Sequence, residues 1–243
     1  MKIFSNRLLL ITRPIQESLA FSEMIKNLNK SINTICDPLF EIENLAIKQD
    51  MSNIRGAIVT SSNAIRSLVQ SQIMFSCPVF CVGNSTALSA KNAGFNSISS
   101  DGNVYYLYEL IQNLVTSGSE QLIYFRGEEI VGDLGTSLRE KNYNVDEVIC
   151  YRKLPRELPR KTLDDIESGL IFGAVFFSKQ TASLFSNQIK RIPDGFIAFC
   201  ISKEVSRTFS NYYPKTRLSL RVAEAPSMIE MCKLVVAASE FGA

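Results

Sequence analysis

Gly56-Ala57-Ile58-Val59-Thr60-Ser61-Ser62-Asn63-Ala64 and Gly173-Ala174-Val175-Phe176-Phe177-Ser178-Lys179-Gln180-Thr181-Ala182 decide the fold. Each stretch opens on Gly-Ala, runs through a short β-branched or aromatic segment, and ends in hydroxylic residues suited to start a helix. They stand about half a chain length apart, and other pairs repeat in the same order. Leu10-Ile11-Thr12-Arg13 is echoed by Ile123-Tyr124-Phe125-Arg126, and Phe80-Cys81-Val82-Gly83 by Phe199-Cys200-Ile201-Ser202. A looser echo joins Cys36-Asp37-Pro38-Leu39 to Cys150-Tyr151-Arg152-Lys153-Leu154-Pro155. Several matches in register, each at a strand end followed by a helix, point to a tandem duplication.

Short apolar runs alternate with segments of helical period along the chain, the pattern of parallel strands joined by crossover helices. The expected strands are Leu8–Thr12, Ile32–Cys36, Ala57–Thr60, Val79–Val82, Ser97–Ser99, Leu122–Phe125, Val145–Tyr151, Ala174–Phe177, Ile197–Ile201 and Leu218–Val222. Each half then holds about five strands, suited to a flavodoxin-like, doubly wound parallel sheet. Pro38 and the Tyr151–Pro155 stretch discourage a continuing central strand. Crossings between two α/β lobes are therefore expected near 38–40 and 150–155. On that division residues 1–37 plus 153–243 form a discontinuous lobe and 38–152 a continuous one.

Composition narrows the function. Apolar residues make up 46% and charged residues 21% of the 243, the balance of a folded globular protein rather than a disordered one. The formal net charge of +2 is spread along the chain, so no nucleic-acid partner is expected. No apolar run approaches the ~20 residues of a membrane span. The start, Met1-Lys2 followed by Ser5-Asn6-Arg7, lacks the pattern of a secretory leader. The expectation is a mature terminus and a cytoplasmic protein. The six cysteines include no CxxC pair and read as reduced core thiols. Histidine is absent, which excludes a histidine triad and leaves no metal site expected.

Ligands of open parallel sheets bind beyond the carboxyl ends of the strands, where helix N-termini offer free N–H groups to anionic oxygens. Thr60-Ser61-Ser62-Asn63, Gly83-Asn84-Ser85-Thr86, Ser178-Lys179-Gln180-Thr181 and Ser202-Lys203 stand at such points. Each is equally readable as a plain N-cap. Arg13 and Arg126, at equivalent strand ends, suit carboxylates or a structural ion pair. No GxxxxGK[ST] or GxGxxG pattern supports nucleotide binding. Asp37, Glu41, Glu43, Glu128 and Glu129 do not form a spaced catalytic pair and read as surface charges. Tyr151, at the second crossing, is either a packing residue or a phenol protonated at neutral pH and able to assist loss of a hydroxyl.

The ordered set Ile11-Thr12-Arg13-Pro14, Val59-Thr60-Ser61-Ser62-Asn63-Ala64, Val82-Gly83-Asn84-Ser85-Thr86-Ala87, Tyr124-Phe125-Arg126-Gly127, Cys150-Tyr151, Phe177-Ser178 and Ala223-Glu224-Ala225-Pro226-Ser227 resembles the uroporphyrinogen-III synthase family nearly end to end. The resemblance implies two flavodoxin-like lobes joined by a two-stranded linker, with the active site between them. It implies a cyclising hydro-lyase that closes hydroxymethylbilane to uroporphyrinogen III, with loss of water and inversion of ring D, for haem biosynthesis. No cofactor is implied. Carried over by motif, Tyr151 is the proton donor, and Thr60, Ser62, Thr86 and Ser178 orient the substrate carboxylates. Ser61, Asn63, Gly83, Ser85, Gly127, Lys179, Ser202, Lys203, Arg13 and Arg126 complete the expected contacts. A monomer is expected, with room for a transient contact with the preceding pathway enzyme. The sequence departs from the family at Ile201-Ser202-Lys203-Glu204-Val205, where Glu204 adds negative charge beside a polyanion and Lys203 can offset it. The competing class is a non-enzymatic two-lobed protein that closes on a small polycarboxylate. A response-regulator-like domain lacks support because no acidic cluster follows the first strand.

Overall fold

The computed structural model describes residues 7–118, 120–130, 132–214 and 216–241. The expectation about the chain start, Met1 to Asn6, lies outside the described residues. The first part of the chain gives β1 (Leu8–Ile11), α1 (Ile15–Leu28), β2 (Asn33–Cys36), β3 (Phe40–Asn44), β4 (Ile54–Val59), α2 (Ser62–Gln70), β5 (Val79–Cys81), α3 (Asn84–Asn92), β6 (Ser97–Ser99) and α4 (Val104–Leu114). It continues with β7 (Gln121–Gly127), α5 (Leu134–Arg139), β8 (Asn144–Pro155), α6 (Arg160–Glu167), β9 (Ile171–Phe176), α7 (Lys179–Gln188), β10 (Ile197–Cys200), α8 (Lys203–Tyr212), β11 (Ser219–Val222) and α9 (Met228–Phe241).

Two compact units result, Met1–Glu41 with Pro155–Ala243, and Ile42–Leu154. The first unit holds a five-stranded sheet in the order β11-β10-β9-β1-β2, with every neighbouring pair parallel. Renumbered along the chain this is 5-4-3-1-2, the flavodoxin-like order read from its other edge. The six-stranded sheet runs β3-β8-β7-β4-β5-β6. Without β3, its strands match the first sheet place for place once β7 is set on β1 and β4 on β9.

The sequence echoes fall on these equivalent strands. β1 and β7 carry one pair, β9 and β4 the second, β10 and β5 the third. Even an irregularity is repeated. The β1–β9 ladder shifts register between Leu8 and Leu9, where Leu9 meets Gly173, and the β4–β7 ladder shifts between Ile54 and Gly56. A glycine inside a strand marks such a bulge or a close approach. A Cβ on Gly173 would lie 2.5 Å from the Ile197 carbonyl oxygen, and one on Gly56 would lie 2.7 Å from the Phe80 ring. One echo does not hold. Cys36 pairs opposite Ile11, whereas Glu147 stands opposite Tyr124 in the second sheet, so Cys36 and Cys150 are not equivalent.

Each sheet buries apolar side chains on both faces, as crossover helices on both sides require. In the first unit one face gathers Leu10, Ala174, Phe176, Phe185 and Phe209. The other gathers Leu9, Ile11, Phe21, Phe172 and Met231. In the second unit Val59, Ile65, Phe125 and Tyr151 lie on one face, and Ile58, Leu107, Tyr124 and Leu138 on the other. Every residue of β9 and β10 is buried.

The strand β3 was not expected from the sequence. Phe40-Glu41-Ile42-Glu43-Asn44 alternates apolar and polar residues, but it is only five residues long, follows Pro38 closely and carries two glutamates, which strands disfavour. Its partner supplies the rest. Arg156 N–H donates to the Leu39 carbonyl and Leu45 N–H to the Cys150 carbonyl, both at 2.9 Å. Arg152 and Arg156 pair with Glu43 and Glu41. The side chain of Thr162 donates to Asp37, which is half-buried rather than a plain surface charge. The boundary between the units cuts β3 and β8, so two strands carry the chain from one unit to the other.

Candidate active site

Tyr151 is the centre of the second unit's candidate site. Only 7% exposed, it stands near the end of β8 beyond a register shift that sets Arg126 against Ile149 but Gly127 against Tyr151. Burial pushes its phenol above the ordinary tyrosine value, and a hydrogen bond with the Ser61 side chain opposes that rise. The group is therefore protonated at neutral pH. Ser61 also caps α2, accepting from Asn63 N–H at 3.2 Å.

Thr60 precedes that cap and shares a 3.1 Å hydrogen bond with the Tyr124 hydroxyl. Tyr124 is 5% exposed, and burial raises its phenol despite the Thr60 contact. Sequence reasoning overlooked Tyr124 as a site residue. The signal was present, because the echo places a tyrosine where β1 has the buried Ile11. Ser62 accepts from Ser89, whose hydroxyl also reaches the Ser85 carbonyl. This links the start of α2 to the second turn of α3. Gly83 is the N-cap of α3 without a side-chain cap, and Thr86 in its first turn is buried. Asn63 is turned to Arg66, whose guanidinium it accepts at 2.9 Å.

The two equivalent arginines are held differently. Arg126 pairs with Glu147 and also donates to the Gly127 and Glu128 carbonyls. Glu147 binds Arg139 on its other oxygen. Burial acts to raise the Glu147 pKa, but the hydrogen bonds from Arg139 and Arg126 outweigh it and hold the carboxyl below its usual value. Arg13, in the first unit, lies over the Phe177 ring with 4.3 Å from guanidinium carbon to centroid, and its Nη1 is 3.5 Å from the Met228 sulfur.

In the first unit the helix N-termini are also capped. Ser178 accepts from Thr181 N–H at 3.1 Å and Ser202 from Val205 N–H at 3.4 Å. Lys179, at the start of α7, reaches Glu204, at the start of α8, over 3.7 Å. Glu204 is thus offset by Lys179, whereas the sequence suggested Lys203, which is exposed. In each unit the hydroxylic residues gather at the carboxyl ends of the strands, beside the β1/β9 or β7/β4 switch in chain order. A cavity of about 600 Å³ lies elsewhere, lined by Arg160, Leu163, Gln188 and Lys190 among others. It opens where α7 leads into β10, at the wrong ends of the strands for a switch-point site. Among the described residues no cluster of three or more His, Cys, Asp or Glu side chains suits a metal. None of the described helices is long and apolar enough to cross a membrane.

Comparison with known proteins gives this geometry a family. A comparison with curated sequences finds no significant match. The structure is similar to uroporphyrinogen-III synthetase from Helicobacter pylori 26695, with 17% identity, a TM-score of 0.64, and coverage of 95% of this chain and 99% of that one. It is similar too to a mutant uroporphyrinogen III synthase from the extremely thermophilic bacterium Thermus thermophilus, with 14% identity, a TM-score of 0.55, and coverage of 97% and 100%. At these identities the likeness speaks for the fold. The model of the family described as uroporphyrinogen-III synthase HemD matches residues 22–230, most of the chain. On that match the chain belongs to the uroporphyrinogen-III synthase family.

Proposed function

We propose that this chain is a cyclising hydro-lyase that converts hydroxymethylbilane to uroporphyrinogen III. The observation that carries this reading is the family match over residues 22–230. The buried Tyr151 phenol gives the reaction a candidate donor. In this mechanism the pyrrole nitrogen pushes electrons toward its hydroxymethyl carbon as Tyr151 protonates the leaving oxygen, and water departs. The resulting azafulvene is attacked by the substituted carbon of ring D. The spiro intermediate then fragments and recloses, which inverts that ring. The final loss of a proton restores the pyrrole and balances the one taken up by the leaving hydroxyl.

A phenol with a raised pKa is a weaker acid, so once the bond has cleaved it readily takes a proton back and does not remain ionised. The hydroxylic helix starts at Thr60–Asn63, Gly83–Thr86, Ser178–Lys179 and Ser202–Lys203 offer N–H and O–H donors to the substrate carboxylates. Arg13, seated on Phe177, suits a carboxylate contact. Arg126, already paired with Glu147, suits support of its own strand end.

Incubation with hydroxymethylbilane and separation of the isomers tests the reading. Type III product is expected, and type I alone, the result of spontaneous closure, would rule out the synthase and favour a binding protein. Tyr151→Phe keeps the ring and removes the proton, so single-turnover formation of the type III isomer should slow by ~10²–10⁴. A rate equal to wild type would sink the donor role.

A further inference from the structure

Gly127 stood among the expected substrate contacts, but its surroundings assign it another task. A Cβ built on Gly127 would lie 2.7 Å from Tyr151 Cζ, 2.9 Å from Cε2 and 2.9 Å from the phenol oxygen. These are the atoms at the tip of the ring, where the proton is carried. The backbone at Gly127 is not left-handed, so conformation does not demand glycine there. Space does.

The strand is shaped to bring that ring to this spot. Side chains alternate between the faces of a strand. Val145 accordingly packs on one face of the second unit's sheet, with Tyr124 and Leu138. By alternation Tyr151, an even number of residues on, belongs to the same face, yet it packs on the other with Cys150 and Phe125. The extra residue between the Arg126–Ile149 and Gly127–Tyr151 pairings makes the change, as a β-bulge does when it re-aims a side chain. The ladder closes again at once, since Glu128 N–H donates to the Tyr151 carbonyl at 2.9 Å. The ring thus turns over Gly127, with its tip against that bare Cα.

We propose that Gly127 is a positioning residue that acts only through Tyr151: its bare Cα, with the bulge at Cys150, leaves the space in which the phenol tip is seated. This rests on the reading of Tyr151 as the proton donor. A methyl group at 127 needs roughly 3.5–4 Å from carbon, so it displaces the phenol tip by about 1 Å. A shift of that size can cost ~10²-fold in rate.

Two measurements test it. In single-turnover assays Gly127→Ala should slow type III formation by ~10²-fold, while the Gly127→Ala/Tyr151→Phe pair should be no slower than Tyr151→Phe alone. In thermal unfolding Gly127→Ala should lower the midpoint by roughly 5 °C with Tyr151 present. In the Tyr151→Leu background it should leave the midpoint unchanged or raised, because leucine lacks all three atoms that clash. Losses that multiply in the kinetic pair would show that Gly127 meets the substrate directly and overturn the proposal, as would equal drops in midpoint in both backgrounds. Should Tyr151→Phe prove fully active, the donor reading falls by itself, and the midpoints alone decide whether Gly127 seats the ring.

Discussion

Arg13 and Arg126 share a position in the duplicated pattern, and their described contacts differ: Arg13 lies over the Phe177 ring and Arg126 binds Glu147. Arg126 is tied to Glu147, with side chains that are each 16% exposed, and its loss leaves that carboxylate to Arg139. Arg126→Ala should therefore cost ~1–3 kcal/mol of stability, and Arg13→Ala, if Arg13 meets a substrate carboxylate as proposed, should raise KM about tenfold. Chemical unfolding and substrate titration of the two variants check this. The acid side adds a signature. Because the folded Glu147 pKa is depressed, its contribution is present above the unfolded value near 4.5 and is lost as pH falls through the folded one. Arg126→Ala should flatten that part of the stability profile. A sequence displays the two arginines as twins, because only their neighbours across the sheet distinguish them. The role of Gly127 was hidden for the same reason, since it depends on one extra residue in β8.

Among the elements, the strands buried on both faces were legible because they read as unbroken apolar runs. β9, Ile-Phe-Gly-Ala-Val-Phe, is one of them. The helix starts at Ser61, Ser178 and Ser202 were legible because capping chemistry is local. Two features were not. β3 draws its order from β8, and β8 itself runs on through Arg152 and Lys153 to Pro155, polar residues that look like a loop until their partners are known. The link between α7 and α8 is also tertiary. Lys179 and Glu204 are 64% and 71% exposed, so their pair is weak and open to exchange with a ligand carboxylate. Glu204→Gln should free Lys179 and remove a repelling charge, lowering KM roughly two- to fivefold with kcat unchanged. Lys179→Gln should raise KM. Steady-state kinetics at low salt would register both, and no change in either variant would place this pair outside the binding surface.

At the scale of the whole molecule, the buried thiols govern behaviour in base. Burial pushes Cys81, Cys150 and Cys200 up to about 12 and Cys232 to about 11, from an ordinary 9.0. With folded values raised, their contribution to stability is intact below pH ~9 and is lost as pH climbs from there toward 12. The unfolding midpoint should stay level to about pH 8.5 and then fall. A thiol reagent at neutral pH should reach the half-buried Cys36 and Cys77 first and leave turnover intact, so loss of activity with the fold retained would contradict the inert-core reading. The interleaved order of the two units has a consequence for the ribosome. β1, the apolar Leu8–Ile11 strand, finds β2 soon after it is made, but its other neighbour, β9, comes only after the whole second unit. At ~5–20 residues per second the wait is on the order of 10 s. For that time a strand destined for the interior is a bare edge on the nascent chain, and molecular chaperones have most to shield there.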